Sequence, residues 1–311
     1  MNLFSAAIVG AGRIAGLADA PSDSGPVRTH AQAYTRHPSF RLQAVVDPDE
    51  SRRERFRAVW HVPEAYASID ELPAVDAVSI CSVTSAHFPQ LQRLMQNGSA
   101  RAILCEKPVC ERPAELDALL AIDHRLVLVN HSRRFDPAHQ RVAADIHAGR
   151  FGELIAGRCD YYGGWLHNGT HLIDTLRMLI GELRVDRAAV SAPGKPDDPC
   201  LDVRVFAGGA PVDLFGFDER HYQLFEIDLR FTEGRVLARN FGEELIVEQV
   251  TTNNIQERYL APASESPLRG LDDPLYRAVD VMAAHLAGGS AGCGATLADA
   301  AETMRTIWRA L

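Results

Sequence analysis

Lysine is almost missing from this chain. Of 32 basic residues in 311, only Lys107 and Lys195 are lysine. Arginine keeps its proton in a protein, whereas lysine gives one up where its surroundings favour the neutral form. The two lysines are therefore singled out by composition alone. Lys195, in Pro193-Gly194-Lys195-Pro196, reads as part of a solvated loop; Lys107 does not. A positive surplus is missing too: 41 acids against 32 bases leave a net charge of −9. That makes nucleic acid and anionic membrane surfaces poor partners. No apolar run approaches the roughly 20 residues that span a bilayer. Met1–Gly10 lacks the basic region and cleavage site of a secretory signal, so a cytoplasmic protein is expected.

Paired cysteines are also lacking. Cys81, Cys105, Cys110, Cys159, Cys200 and Cys293 form no CxxC motif, and a chain of this length buries a core without disulfides. Reduced, buried thiols are expected, and no metal site. What is present is the composition of an ordinary globular protein, 46% hydrophobic and 23% charged, with length for about two domains at roughly 150 residues each.

The first part of the chain alternates strand and helix. Apolar strands are expected at residues 4–9, 42–46, 77–81, 102–105 and 126–129. Helices are expected at 88–96, closed by Asn97-Gly98, and at 113–122, opened by proline. Continuous apolar strands between helices indicate a parallel sheet covered on both faces. A helix capped by Asp136 follows. Strands then succeed one another at 154–162, 185–192, 201–206, 212–217, 224–231 and 245–250. Phe225, Ile227, Leu229 and Phe231 alternate with charged residues, as in a strand with one buried face. Two closing helices carry apolar residues at helical spacing, the last preceded by Thr296-x-x-Asp299. The expected fold class is α/β plus α+β, with an N-terminal domain over 1–131 and a C-terminal domain with an open, mostly antiparallel sheet over 132–311.

Gly10-Ala11-Gly12-Arg13-Ile14-Ala15 follows the first strand and is expected to open a helix. There Gly10 permits a tight turn, Gly12 lets backbone amides approach a pyrophosphate, and Ala15 allows close helix–strand packing. Asp47 ends the second strand, where a carboxylate holds ribose hydroxyls and repels a 2′-phosphate; NAD is favoured over NADP. The interval from Gly12 to Asp47 exceeds the usual 20 or so residues, and the excess falls on a Pro/Ser/Gly-rich stretch at 19–28, read as a loop.

With Ser82-Val83-Thr84-Ser85-Ala86-His87, Glu106-Lys107-Pro108 and the run from Gly163 to Asp174, this turn resembles the Gfo/Idh/MocA oxidoreductase family, and the resemblance extends to the C-terminal helix. It implies a Rossmann domain, a nicotinamide cofactor, a sugar, cyclitol or nucleotide-linked sugar substrate, and dimers or tetramers built through the C-terminal sheet. Residue by residue, it implies that Gly10, Gly12, Arg13, Ile14, Asp47, Ser82, Thr84, His87, Glu106, Lys107 and Arg134 bind the cofactor. Lys107 and His171 correspond to the catalytic lysine and histidine. Inositol-dehydrogenase-like members carry aspartate where this chain has His167, a departure that makes His167 a further catalytic candidate.

Oxidation of an alcohol needs a base for the hydroxyl proton, which histidine suits, and a cation to steady charge on oxygen, which lysine suits. Lys107, Tyr162, Trp165, His167, Asn168 and His171 are the expected substrate contacts, with Tyr162 and Trp165 as an aromatic wall. Two alternatives stand beside a sugar dehydrogenase, one placed in surface-polysaccharide sugar metabolism. One is an enzyme that uses tightly bound NAD catalytically for epimerisation, elimination or glycoside cleavage. The other is a non-catalytic NAD-binding sensor of ligands.

Overall fold

The computed structural model describes residues 3–122, 126–195, 197–289 and 294–311, with backbone alone at 193 and 194. Cys293 lies outside the described residues. The chain divides into two compact units: Met1–Phe135 with Asp273–Ala301, and Asp136–Asp272 with Glu302–Leu311. Among the described residues no helix is long and apolar enough to cross a membrane.

The first unit is built on six parallel strands: β1 (Phe4–Val9), β2 (Phe40–Val46), β3 (Glu64–Tyr66), β4 (Val75–Ile80), β5 (Ala100–Cys105) and β6 (Val127–Val129). Their order is β3-β2-β1-β4-β5-β6. This is the doubly wound order whose switch point lies between β1 and β4, and ligands of such sheets bind outside the carboxyl ends of those strands. Ala6, Ala7, Ile8, Ala77, Val78 and Ile80 are fully buried, as continuous apolar strands covered on both faces must be.

The helices of this unit are α1 (His30–Arg36), α2 (Glu50–Trp60), α3 (Thr84–Asn97) and α4 (Pro113–Leu120). Gly98 ends α3 at φ 63°, the left-handed cap that the Asn-Gly pair predicts. The helix expected directly after the glycine turn is only one turn long, Arg13–Leu17. It breaks at Gly16, whose φ of 174° is not helical, and glycine alone fits there, since a Cβ would lie 2.5 Å from Trp60 Nε1 and 2.7 Å from Phe56 Cε2. The chain then runs as a loop to Thr29, whose hydroxyl caps α1 by accepting the Gln32 amide. The stretch at 19–28 is thus the loop its composition predicts. It is anchored, since Arg36 donates to Gly25 O at 2.6 Å and Val27 N donates to Asp273 Oδ1 at 2.7 Å.

The chain returns to this unit late. Leu275, Ala278, Val279 and Met282, on a helix over Pro274–Leu286, join the same core as Ile8, Tyr34 and Leu104. The compact units therefore differ from a single division near residue 131, because the apolar face of that helix is buried against the first sheet's core.

In the second unit α5 (Pro137–His147) and α6 (Thr170–Ile180) pack on one face of a nine-stranded sheet. Its strands are β7 (Leu154–Tyr162), β8 (Arg184–Lys195), β9 (Asp198–Ala207), β10 (Ala210–Phe217), β11 (Glu226–Phe231), β12 (Gly234–Arg239), β13 (Glu244–Thr252), β14 (Arg258–Pro262) and β15 (Leu268–Arg269). The order is β14-β13-β12-β11-β7-β10-β9-β8, and every pairing is antiparallel except β7 with β10. Ile227, Leu229 and Phe231 point into the core with Leu172, Ile173 and Leu176 of α6. The opposite face carries ion pairs, among them Arg235 with Asp228 at 2.8 Å and Arg204 with Asp213 at 2.6 Å. The closing helices are α7, already placed at Pro274–Leu286, and α8 (Leu297–Arg309), which Thr296 caps through the Asp299 amide.

Candidate functional site

The carboxyl ends of β1, β2 and β4 enclose a cavity of about 400 Å³, lined by Val9, Gly10, Gly12, Asp47, Arg52 and Ser82 among others. Gly10 stands at φ 89°, and a Cβ there would lie 2.6 Å from the Ser82 amide nitrogen. The first turn therefore touches the loop after β4, and only glycine fits. Gly12 is different. A Cβ there would meet nothing within 4 Å, so the protein's own packing does not demand glycine; close approach of a ligand would. Arg13 and Ile14 are exposed beside it, and Ala15 is fully buried. The fit to a dinucleotide's phosphates is good, although the helix after the turn is too short to add a dipole of consequence.

Asp47 is buried, with Oδ2 accepting the Ala11 amide at 2.7 Å and Oδ1 accepting the Asp49 amide at 2.9 Å. Arg52 Nη1 lies 3.6 Å from the same Oδ2. The carboxylate thus braces the glycine turn while lining the cavity. Ser82 donates its hydroxyl to Gln90 Oε1 at 2.6 Å, and Thr84, half-buried, opens α3. His87 is buried, its ring nitrogens 2.8 Å from Pro108 O and 3.0 Å from Ser82 O. It ties the loop after β4 to the loop after β5, so it can reach a ligand only through the backbone it holds. Arg134 pairs with Asp299 at 3.2 Å.

Glu106-Lys107-Pro108 follows β5, and the Lys107–Pro108 peptide is cis. Glu106 Oε1 accepts from His30 Nε2 at 2.9 Å and from Asn130 Nδ2 at 2.7 Å. Burial pushes the carboxyl up, but the bond and charge of His30, the Asn130 amide and the Lys107 ammonium together hold it below its ordinary value. It is an ionised carboxylate in a nearly closed site. Among the described residues Asn130 Oδ1 is buried without a hydrogen-bond partner, an acceptor for which a ligand donor is the natural complement. Sequence reasoning missed His30 and Asn130. The one available signal for His30 was Thr29, a capping residue one position before it.

In the second unit the run from Tyr161 to Asp174 divides between core and cavity. Trp165 is fully buried, donating Nε1–H to Ile307 O at 3.0 Å, and Tyr161 is buried with its hydroxyl on Leu201 O at 2.8 Å. The expected aromatic wall is therefore corrected at Trp165, which offers no ring face to a ligand. Tyr162 is half-buried against Phe241, ring centres 5.9 Å apart. His167 and Asn168 line a second cavity of about 350 Å³ with Lys195, Asp198, Glu219 and Arg220. Lys195 is thus not merely a loop residue: it ends β8 and lines this cavity.

Asp198, which sequence reasoning missed, organises that cavity. Its buried carboxylate receives the Leu166 amide at 2.6 Å and His167 Nδ1 at 2.6 Å. A Cβ on Gly164 would lie 1.9 Å from Asp198 Oδ2, so glycine is what admits the carboxylate. His171 is the second residue of α6 and half-buried; its carbonyl accepts from Thr175 Oγ1 at 2.6 Å. Asp174, one turn on, is buried and accepts from Thr303 Oγ1 at 3.1 Å, a bracing role. All five described cysteines are free and buried.

The chain is similar to known proteins. Residues 4–130 match the family described as "Oxidoreductase family, NAD-binding Rossmann fold". Inositol 2-dehydrogenase 4 of Saccharopolyspora erythraea is 30% identical over 197 residues, 56% of this chain; the match spans only 58% of that protein's length. Inositol 2-dehydrogenase of Rhizobium meliloti is 30% identical over 266 residues, 75% of this chain and 74% of that protein. The crystal structure of a 3-ketoreductase from Actinomadura kijaniata, in complex with NADP, shares the fold with a TM-score of 0.76 at 18% identity, covering 99% of this chain and 97% of that one. The chain belongs to the Gfo/Idh/MocA family of oxidoreductases.

Proposed function

We propose that this protein oxidises a secondary hydroxyl of a sugar, cyclitol or nucleotide-linked sugar with NAD, or reduces the corresponding ketone. The observation that carries the reading is Glu106, an ionised, nearly buried carboxylate beside Lys107 at the end of β5, in the sheet whose neighbouring strand ends enclose the Gly10–Asp47 cavity. Asp47 supports NAD over NADP, because a buried carboxylate repels a 2′-phosphate. Gly10, Gly12, Arg13, Ile14, Ser82, Thr84, His87 and Arg134 complete the cofactor-binding set we assign, His87 through the backbone.

When bound, the dinucleotide supplies the hydride acceptor. Lys107 holds the substrate oxygen and stabilises charge developing on it. His171 is assigned the proton of the substrate hydroxyl, which it would take up in oxidation and return in reduction. Asn168, Tyr162 and His167, the last oriented by Asp198, are the further substrate contacts we assign. We further propose a cytoplasmic setting, consistent with free, buried thiols, and a dimer or tetramer through the open face of the nine-stranded sheet, which carries the Arg235–Asp228 and Arg204–Asp213 pairs. A polysaccharide role for the product is part of the same proposal.

The test is incubation of the full chain with NAD and a panel of cyclitols, sugars and nucleotide sugars, following reduced nicotinamide by absorbance. Stoichiometric NADH with one member of the panel is expected. Conversion of a substrate without net NADH would favour catalytic use of a bound cofactor instead.

A further inference from the structure

We propose that His30 is a positioning residue for the chemistry at Lys107. Through Glu106 Oε1 it fixes a carboxylate whose second oxygen is left to a ligand. The inference rests on the dehydrogenase reading above for the ligand's identity, not for the geometry.

His30, Ser79 and Tyr34 are all fully buried. The Tyr34 hydroxyl lies 2.9 Å from Ser79 Oγ, Ser79 Oγ lies 3.0 Å from His30 Nδ1, and His30 Nε2 lies 2.9 Å from Glu106 Oε1. One direction of donation satisfies the three contacts from Tyr34 to Glu106, with the single phenol hydrogen on Ser79 rather than on Met282 Sδ. Burial holds the Tyr34 phenol protonated by pushing its pKa up. Tyr34 O–H donates to Ser79, Ser79 O–H donates to His30 Nδ1, and His30 Nε2–H donates to Glu106. Beyond Tyr34 comes Met282 Sδ at 3.9 Å. The chain of bonds ends inside the core, so it does not lead protons to solvent. It acts as a strut that fixes both the imidazole tautomer and the ring orientation.

Asn130 Nδ2 donates to the same Oε1. Among the described residues Oε2 accepts no hydrogen bond, while the Glu106 side chain stays 13% exposed. A carboxylate with one oxygen doubly held cannot turn, and the other keeps its full strength as an acceptor for a ligand donor. The titratable groups that face it are His30 from α1, Lys107 next in the chain, and the thiols of Cys81 and Cys105. Burial first, and the Glu106 charge second, push both thiols up and keep them neutral. Without the imidazole donor, a carboxylate this buried protonates more readily. Lys107 then loses the negative charge beside it.

The experiment uses the full chain with two readouts: the ¹³C carboxyl resonance of Glu106 against pH, assigned by its loss in Glu106→Gln, and titration with NAD. In His30→Leu the Glu106 midpoint should rise by at least about one pH unit, and NAD binding should weaken roughly tenfold at the acid end of the range. In His30→Gln, whose amide can still donate to Oε1, both readouts should stay within about threefold of wild type. An unmoved Glu106 midpoint in His30→Leu overturns the proposal, as does a glutamine variant no better than leucine. Should the leucine variant fail to fold, Ser79→Ala leaves the imidazole but frees its tautomer; a smaller rise is expected there, and no rise overturns the proposal. A moved midpoint in chains that never bind NAD would instead overturn the dehydrogenase reading and leave the strut standing.

Discussion

Asp198 Oδ2 lies 2.6 Å from His167 Nδ1, although 31 residues separate them. The same carboxylate receives the backbone amides of Leu166 and His167. One buried side chain therefore stops the turn before α6 and orients an imidazole. Where related dehydrogenases are expected to carry a carboxylate at position 167, this chain carries a histidine with a carboxylate behind it. Asp198→Asn keeps the shape and removes the charge. Hydrogen bonds to charged groups contribute about 1.5–3 kcal/mol each, so the variant should lose roughly that much in denaturant unfolding. Unchanged stability would show that the pair does nothing.

The two glycines of the first turn should behave oppositely. At Gly10 an added Cβ meets Ser82 backbone and φ is 89°, so Gly10→Ala should destabilise the chain by more than about 1 kcal/mol. At Gly12 a Cβ meets open space, so Gly12→Ala should unfold at the wild-type denaturant concentration and lose dinucleotide affinity. Thermal melts with and without NAD separate the two effects. A Gly12→Ala chain that binds NAD as wild type does would contradict the close approach of phosphates.

Asp47→Ala removes both the acceptor for Ala11 N and the charge opposed to a 2′-phosphate. The ratio of NADP to NAD affinity should rise by roughly tenfold or more, the scale of one charged contact. Titration with both dinucleotides checks it, and an unaltered ratio would remove Asp47 from cofactor choice.

Asp136 predicts an acid sensitivity. Burial raises its carboxyl pKa, but the His139 imidazole and amide and the Leu271 amide more than offset this, leaving it below the usual value. A carboxyl depressed in the folded state stabilises it above the unfolded value, and that stability disappears as pH falls through the folded one. Asp136→Asn should therefore be less stable than wild type near neutrality, with the gap closing below about pH 4. Denaturant midpoints across that range check it; a gap constant with pH would contradict the sign.

The sequence announced most of the regular structure, and the exceptions have physical reasons. β1 and β7 fall at the predicted residues because apolar runs and alternation are strong there. β3, β12 and β14 are short and half-polar, paired by neighbours rather than by their own pattern. α1 is seven residues long, too short to show a period. Motifs pointed to Gly10, Asp47 and Lys107 because local chemistry and spacing mark them. His30, Asn130 and Asp198 were invisible because their roles come from partners 76, 24 and 31 residues away. Trp165 was misread because an aromatic beside paired glycines resembles a binding loop, whereas Gly164 makes room for Asp198 and Gly163 for Asn168 and Glu219.

Lys107 is the residue we assign to hold the substrate oxygen during hydride transfer to the nicotinamide. The most direct measurement compares wild type with Lys107→Arg, which keeps the charge and removes the smaller ammonium, by reduced-nicotinamide absorbance on an active substrate and by NAD titration. Turnover should fall by roughly 10²-fold or more, with NAD affinity within several-fold of wild type. An arginine variant that turns over at the wild-type rate would contradict the assignment.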